Sequence, residues 1–242
     1  MHKQHGLSII EMMVALLISS FLILGITQVY LDNRENTLFQ QSQGQNIESA
    51  RFSILLLEET LTKTGYRRRP DETMEAAFPS ANLPNCGAMA AGEVVKRINA
   101  TSFCIRYQPA FPGARTCSGD LIANIPPNDP YVRMTPVTEI FELDENGVLR
   151  CNTQAIATGI TALNFDYGVN YNDDKRISEY TPTPAANARV RAVQFAIMTA
   201  SPTEIGKSAG SAVYEFWFGN APNDKRLYTM LSSSTSMRNL MP

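Results

Sequence analysis

The stretch Gly6–Tyr30, GLSIIEMMVALLISSFLILGITQVY, determines the architecture of the chain, because it is apolar apart from one carboxylate. Between Leu7 and Leu31 the only charged side chain is Glu11. A helix over residues 7–31 is about 37 Å long at about 1.5 Å per residue, and the hydrocarbon core of a bilayer is about 30 Å thick. We therefore predict a transmembrane helix over residues 7–31.

Three interpretations of this stretch compete. A cleaved secretory signal fits poorly, because the apolar segment is too long and no small-residue cleavage site follows it. A simple signal anchor explains the length but leaves Glu11 unexplained. The third interpretation removes residues 1–6 as a leader by cleavage between Gly6 and Leu7 and keeps the helix. Lys3 in the leader favours a cytoplasmic N-terminus, with the rest of the chain outside.

Cleavage after Gly6 would explain the carboxylate. It would create an α-amine on Leu7, one helical turn before Glu11. A carboxylate in lipid should be paired, and the helix dipole favours a negative charge near a helix N-terminus. Glu11 would therefore pair with its own terminus or with that of a neighbouring copy. The alternative is a lone polar side chain that extends toward the lipid headgroups.

The run Gly6–Glu11 resembles the class III signal of type IV pilins and type II secretion pseudopilins. That pattern is a glycine, a hydrophobic residue (usually Phe), Thr or Ser, two aliphatic residues and a glutamate, followed by an apolar helix. The resemblance implies that a prepilin peptidase cuts after Gly6 and methylates the amine of Leu7. It also implies that Glu11 meets the methylated terminus of an adjacent subunit. This sequence departs from the pattern in having Leu7, and no proline interrupts the apolar helix, so Gly25 is its weakest point.

Residues 32–65 form a polar stem that continues the helix. Its second half carries apolar residues at spacings of three and four, which places them on one helical face: Ile47, Ala50, Ile54, Leu57 and Leu61. Gly65 suits a helix C-terminus, and Pro70 prevents much continuation. We predict one helix from about Leu7 to Thr64, with its second half packed on the rest of the protein.

Residues 66–242 form a globular head that is rich in predicted β-strands. The segment 67–136 is rich in proline and glycine and contains one expected short strand, SFCIRYQ. After it, VTEIFELDENGVLRC predicts a hairpin whose turn lies over Asp144–Gly147. Four further β-rich runs follow: ITALNFDYG, RVRAVQFAIMTAS, AVYEFWFGN and RLYTMLSS. With no helical period between them, the fold class is α+β, a long helix packed on an antiparallel sheet.

Several phrases of the head resemble PilW-type minor pilins, which are large subunits of type IV pili. These phrases are TGYRRRP, TCSGD, LRC, GITALNFDYG, RVRAVQFAIMTAS and MRN. The resemblance implies a structural role in a filament.

Composition argues against catalysis. The two histidines, His2 and His5, both lie in the predicted leader, so the processed chain would lack the residue most used as a general base or metal ligand. No phosphate-binding loop or nucleophile elbow is present. The net charge of −2 is not that of a nucleic-acid binder. We predict no catalytic site, no cofactor, no metal site and no nucleic-acid partner.

The four cysteines predict two disulfides, and hence an oxidising compartment. Three connectivities are possible. We favour Cys117 with Cys151, because Cys151 ends the hairpin and Cys117 lies in a glycine-containing loop free to reach it. The PilW-like phrases around both residues agree with this. Cys86 would then pair with Cys104, which lies in the predicted strand. The alternative is buried free thiols.

Three other clusters have structural interpretations that outweigh functional ones. Arg67–Arg69 fits solvated cations at a helix C-terminus better than a phosphate or DNA patch. Tyr171–Arg176 fits a turn, since it lacks the ligand spacing of a calcium loop. Trp217, in YEFWF, fits a strand facing the core better than a sugar-binding platform.

Together these features predict a minor pilin that primes or joins a type IV pilus. It would be a single-pass protein of the bacterial inner membrane, with the head in the periplasm and later in the extracellular pilus. Its partners would be the prepilin peptidase, other minor pilins, the major pilin and inner-membrane lipid. The main alternative is a large minor pseudopilin of a type II secretion system. The lesser alternative is a membrane-anchored periplasmic binding protein or enzyme.

Overall fold

One long helix dominates the computed structural model of the protein, which describes residues 8–172 and 176–240. Helix α1 runs over Ile9–Lys63 and passes through Gly25 without interruption. Gly65 follows with φ +71°, a backbone conformation that is unstrained in glycine because glycine has no Cβ atom. Its N–H donates a 2.9 Å hydrogen bond to the carbonyl oxygen of Arg106, so the end of α1 is joined to the head. The prediction of one continuous helix is confirmed within the described residues.

Within those residues, two short helices and eleven strands follow α1. The helices are α2 (Met74–Ala77) and α3 (Ala212–Phe218). The strands are β1 (Ala81–Leu83), β2 (Gly87–Met89), β3 (Val95–Asn99), β4 (Ser102–Tyr107), β5 (Val137–Leu143), β6 (Leu149–Cys151), β7 (Gln154–Ala157), β8 (Ile160–Asn170), β9 (Glu179–Thr181), β10 (Arg189–Glu204) and β11 (Arg226–Ser236). A 3₁₀ turn over Arg238–Leu240 ends the described chain.

The strands form three antiparallel sheets. A five-stranded sheet has the order β3-β4-β5-β6-β7, a four-stranded sheet has the order β11-β10-β8-β9, and β1 pairs with β2. The predicted hairpin is present: β5 pairs with β6 in a register that places Leu143 opposite Leu149. The Asp144 carboxylate accepts 2.9 Å hydrogen bonds from the N–H groups of Asn146 and Val148, which fixes the turn. The α+β architecture predicted from the sequence is confirmed.

The core lies where the two larger sheets and the second half of α1 meet. α1 packs against β10 and β11. Of the predicted stripe, Ala50, Leu57 and Leu61 are buried, and the two isoleucines are half-buried. Phe103 of the five-stranded sheet and Phe165 of the four-stranded sheet have ring centroids 4.7 Å apart, so one core joins both sheets. Burying each such ring contributes roughly 1.5–3 kcal/mol.

The run AVYEFWFGN is a helix, α3, so its prediction as a strand was wrong. The Ser211 hydroxyl accepts a 3.3 Å hydrogen bond from the N–H of Tyr214, which caps the helix N-terminus. Gly219, with φ +89°, ends the helix. Aromatic residues favour strands mainly because they fit a pleated, half-buried surface. None of the residues of α3 is buried, so these aromatic side chains lack the half-buried surface that would favour a strand.

The segment 67–136 contains more regular structure than the single predicted strand. SFCIRYQ forms β4 as expected, but β1, β2, β3 and α2 also lie in this segment. These elements are three to five residues long, too short for a clear hydrophobic period. Their formation depends on pairing with neighbours: β3 on β4, and β1 on β2.

Candidate assembly surface on the N-terminal helix

The first half of α1 has no intramolecular cover. Every residue from Ser8 to Gln41 is exposed, and burial begins only at Ser42. In the described part of the chain, α1 is the one helix long and apolar enough to cross a membrane. An apolar surface of this length needs lipid or other protein around it. The helix therefore divides into an uncovered part, which is apolar as far as Leu31, and a part that packs on the head.

The polar groups of the apolar half are arranged for a dry environment. The Ser19 hydroxyl donates a 2.7 Å hydrogen bond to the carbonyl oxygen of Ala15, and Ser20 donates at 2.8 Å to that of Leu17. These bonds satisfy both hydroxyls within the helix, as a membrane requires. Glu11 is the one charged side chain of residues 8–31.

Glu11 lies in the first turn of α1 and is exposed. Its backbone N–H donates a 3.0 Å hydrogen bond to the carbonyl oxygen of Ser8. Ser8 precedes the helix in extended conformation and makes no side-chain cap. Among the described residues the Glu11 carboxylate has no hydrogen-bond or ion-pair partner, so it is free to accept one from outside. The predicted cleavage residues Gly6 and Leu7 lie outside the described residues.

Polar contacts fasten the second half of α1 to the head. The Asn46 amide nitrogen donates a 2.8 Å hydrogen bond to the carbonyl oxygen of Leu227, and the Thr199 hydroxyl donates at 3.1 Å to the carbonyl oxygen of Asn46. The Ser49 hydroxyl donates at 2.7 Å to the carbonyl oxygen of Thr158. Sequence periodicity missed this polar component, because Asn46 is polar and precedes the apolar stripe that identified the packed face. The bonds fix the direction of the head relative to the helix.

The opposite face of the stem presents apolar side chains to solvent. Phe52 and Leu55 are both more than half exposed, and Leu38 and Phe39 precede them on the same helix. They extend the exposed apolar surface of α1 beyond the predicted membrane segment. The packing surface available to neighbours therefore continues alongside the head.

The structure brings the four cysteines together in two pairs, Cys86 with Cys104 and Cys117 with Cys151, and each pair has its Cα atoms 6.0 Å apart. The first pair joins the β1–β2 turn to β4. The second joins the loop between β4 and β5 to the end of β6. A buried carboxylate, Glu139, lies within 4.8 Å of both Cys117 and Cys151 sulfur atoms. No sequence pattern pointed to this residue.

The arginine cluster differs from its sequence-based interpretation. Arg69 is exposed and pairs with Asp71 at 2.7 Å, as solvated cations do. Arg68 is only 2 % exposed. Its guanidinium donates to the carbonyl oxygens of Pro109, Ala110 and Asp129. The interpretation of Arg68 as a solvated cation was therefore wrong, because a loop distant in sequence folds over it.

Trp217 does not face the core. It is 40 % exposed and its neighbour Phe216 is 81 % exposed, with their rings in edge-to-face contact. The sequence-based interpretation of Trp217 as a core residue on a strand was wrong. In the predicted turn Tyr171–Arg176, residues 173–175 lie outside the described residues.

Comparisons with known proteins found two family models that match parts of the chain and a similar solved structure. The family model of the prokaryotic N-terminal methylation motif matches residues 1–27. The family model of type IV pilus-assembly protein W matches residues 134–239. Among solved structures, the chain is similar to a type IV-like pilin from Thermus thermophilus, with a TM-score of 0.46 and 14 % identity, over 81 % of this chain and 97 % of that one. A search of curated protein sequences gave no match.

Proposed function

We propose that this type IV pilin-like protein, whose residues 134–239 match the PilW family model, is a minor subunit that primes or joins a type IV pilus. The observation that carries the proposal is the division of α1. Residues 8–41 are exposed throughout, and their apolar part, which ends at Leu31, carries a single carboxylate, Glu11, without a partner among the described residues. The rest of the helix is packed on the head. Such a helix can be held in lipid first and by other helices later.

The protein acts by assembly rather than catalysis. Prepilin peptidase removes residues 1–6 and methylates Leu7, and α1 then anchors the chain in the inner membrane with the head in the periplasm. On extraction, lipid around residues 9–31 is replaced by helices of other minor pilins and the major pilin. The exposed apolar residues Phe52 and Leu55 continue that packing surface.

In the filament, Glu11 determines the axial position of the subunit relative to its neighbour. In an apolar helix bundle an unpaired carboxylate is strongly unfavourable, and a positive N-terminus on a neighbouring helix is its natural partner. Only one axial offset between two such helices brings Glu11 to the amine of Leu7. The pair therefore sets the register between adjacent subunits.

The test is a strain that lacks the chromosomal copy and carries Glu11→Ala, Glu11→Gln or, as a matched control, Glu35→Ala. Glu35 is an exposed carboxylate on the same helix, outside the apolar segment. We expect both Glu11 variants to be cleaved and inserted normally but to be depleted at least tenfold from sheared pili, and the Glu35 variant to be recovered normally. Equal recovery of all three would contradict the pairing.

The same strain without any plasmid-borne copy distinguishes a type IV pilus from a type II secretion system, the two machines that use this type of subunit. Loss of surface pili with normal export of type II substrates is the expected result, since residues 134–239 match a pilus-assembly family. Loss of export with normal pili would identify a pseudopilin instead.

A further inference from the structure

Glu139 is a fully buried carboxylate beside a disulfide. It lies on β5 opposite Ile105 of β4, two residues before Phe141, which pairs with Cys151 of β6. Glu139 therefore shares a face with the Cys151 position, and its carboxylate lies within 4.8 Å of both sulfur atoms of the Cys117–Cys151 pair. Glu139 and Cys151 are both 0 % exposed.

One oxygen of this carboxylate is well satisfied and the other is not. Oε1 accepts a 2.6 Å hydrogen bond from the Tyr107 hydroxyl and a 2.8 Å hydrogen bond from the backbone N–H of Cys117. Oε2 is buried and has no hydrogen-bond partner among the described residues. A buried acceptor without a donor is unfavourable and calls for a physical explanation.

The reduced chain supplies the missing donor. Before the disulfide forms, Cys117 and Cys151 carry S–H groups, which are weak hydrogen-bond donors. A thiol within reach of the carboxylate can donate to Oε2, and the bond disappears when the sulfurs join. The unsatisfied oxygen thus fits a group whose partner is consumed by oxidation.

The geometry points to Glu139 as the proton acceptor that closes the Cys117–Cys151 disulfide after the chain reaches the oxidising compartment. Cys151 is fully buried, and burial in apolar surroundings opposes ionisation of a thiol, yet the thiolate is the attacking species. A carboxylate within reach can take the proton as the sulfur attacks. Cys117 is half-buried, so an external oxidant reaches it first.

The chemistry balances in two exchanges with a disulfide oxidant. The Cys117 thiol loses its proton to water, its thiolate attacks the oxidant disulfide, and one oxidant thiolate leaves. Cys151 then transfers its proton to Glu139 while its sulfur attacks the sulfur of Cys117. The Cys117–Cys151 bond forms, the bond from Cys117 to the oxidant breaks, and the second oxidant thiolate leaves. The two oxidant thiolates take up two protons from solvent, which replace the one that Cys117 released to water and the one that Glu139 gives back to solvent. Two electrons pass from the two cysteines to the oxidant.

The neighbours of Glu139 hold it in place for this step. The hydrogen bond from the N–H of Cys117 positions the loop sulfur over the sheet. Burial and the Glu139 charge raise the pKa of Tyr107, so its hydroxyl keeps its proton and continues to donate. The titratable groups that the described residues bring to the carboxylate are Tyr107 from β4 and the two thiols. Lys63 of α1 lies beyond, with its amine 5.5 Å from the centre of the Tyr107 ring.

The second pair in the same molecule is an internal control. Cys86 and Cys104 pack in an apolar cluster whose other described members are Met89, Ile140, Leu83 and Ile98. The one group of metal-binding or acidic side chains that surrounds a cysteine pair in the described residues is that of Glu139. Lys96 lies opposite Cys104 on β3, and its amine donates to the carbonyl oxygen of Ala88. An ammonium group favours a thiolate but cannot accept its proton, so a thiol of the control pair must lose its proton to water.

The experiment follows the second exchange directly. The full-length protein in detergent is reduced and treated with excess glutathione disulfide, and samples are quenched by alkylation and mapped by mass. We expect the Cys117–glutathione species to convert to the internal disulfide at least tenfold more slowly in Glu139→Gln than in the wild type. Closure of Cys86–Cys104 should change less than twofold. Equal slowing of both pairs would reduce Glu139 to a structural role, and no slowing of either would overturn the proposal.

The pH profile tests the same idea without a variant. Between pH 6 and 8, thiolate formed by water rises about tenfold per pH unit, because the thiol pKa is about 8.5. Conversion to Cys86–Cys104 should follow that slope in the wild-type protein. Conversion to Cys117–Cys151 should be nearly flat, because the proton goes to Glu139. Identical slopes for the two pairs would contradict the assignment even if Glu139→Gln failed to fold.

Discussion

The Arg68 guanidinium donates a 2.6 Å hydrogen bond to the carbonyl oxygen of Asp129, which places the residue just after α1 in contact with the far end of the loop between β4 and β5. The same guanidinium donates to the carbonyl oxygens of Pro109 and Ala110 at the near end of that loop. Its backbone N–H donates at 2.9 Å to the side-chain oxygen of Gln108. One side chain therefore closes a loop that carries Cys117.

Arg68→Ala should destabilise the head by about 3 kcal/mol, because it leaves buried carbonyl oxygens without donors and removes a packed side chain. Thermal or denaturant unfolding of the full-length protein in detergent measures the change. Arg69→Ala is the matched control: its side chain is exposed, and its removal should leave the unfolding midpoint nearly unchanged. If the two variants were equally stable, the loop would not depend on Arg68.

The long helix and the sheet could be predicted from the sequence because their signals are local. The spacing of Ala50, Leu57 and Leu61 identifies the packed face of α1, and Asp144 and Gly147 identify the hairpin turn. Arg68 could not be assigned, because its burial comes from a loop some forty to sixty residues further along the chain. Glu139 was missed for the same reason, since its neighbours come from β4, β6 and the Cys117 loop.

The same reasoning explains the error at Trp217. Alternating aromatics predict a strand only if one face is buried, and the sequence cannot show that no strand lies alongside. Because Trp217 is the only tryptophan, its fluorescence reports on this point. We expect a red-shifted emission and substantial quenching by acrylamide in the folded protein, in keeping with its partial exposure on α3. A blue-shifted, protected emission would restore the core interpretation. The double variant Phe216→Trp/Trp217→Phe moves the single tryptophan to a more exposed position and provides the reference for full access.

Asp144 should make stability depend on pH at the acidic end. Its pKa is lowered by the hydrogen bond from the Val148 N–H first and by the Arg150 side chain next. Because the folded-state value lies below the ordinary 3.8, the unfolded chain takes up a proton first as the pH falls. The stabilisation is therefore fully present above about pH 5 and is lost as the pH falls below 3.8 and through the lower pKa of the folded state. Asp144→Asn should lower the unfolding midpoint at pH 7, and the difference from the wild type should shrink at pH 3. A constant difference would assign the effect to turn geometry alone.

The two cysteine pairs should be separable by peptide mapping, because trypsin leaves each cysteine on its own peptide. Under non-reducing conditions we expect Cys86 joined to Cys104 and Cys117 joined to Cys151. Replacing the second pair by serine should cost roughly 2–4 kcal/mol, and about 0.5 kcal/mol more than replacing the first. The reason is the longer segment that it closes, with a sequence separation of 34 against 18. A peptide joining Cys86 to Cys117 or to Cys151 would refute the pairing, and four free thiols in periplasmic material would also remove the argument for an oxidising compartment.

The last prediction concerns the N-terminus. Residues 1–27 match the N-terminal methylation motif, and the exposed first turn of α1 carries Glu11 without a partner among the described residues. We expect the mature chain to begin at Leu7 with an N-methyl group, because that amine lies one turn from Glu11 and supplies the charge the carboxylate lacks. Intact-mass measurement on protein from cells with and without the peptidase gives the result, and Glu11→Ala serves as a variant that should still be cut. A terminus that remained at Met1 in peptidase-positive cells, or one beyond Tyr30, would show that the apolar helix serves as a simple anchor or a discarded signal.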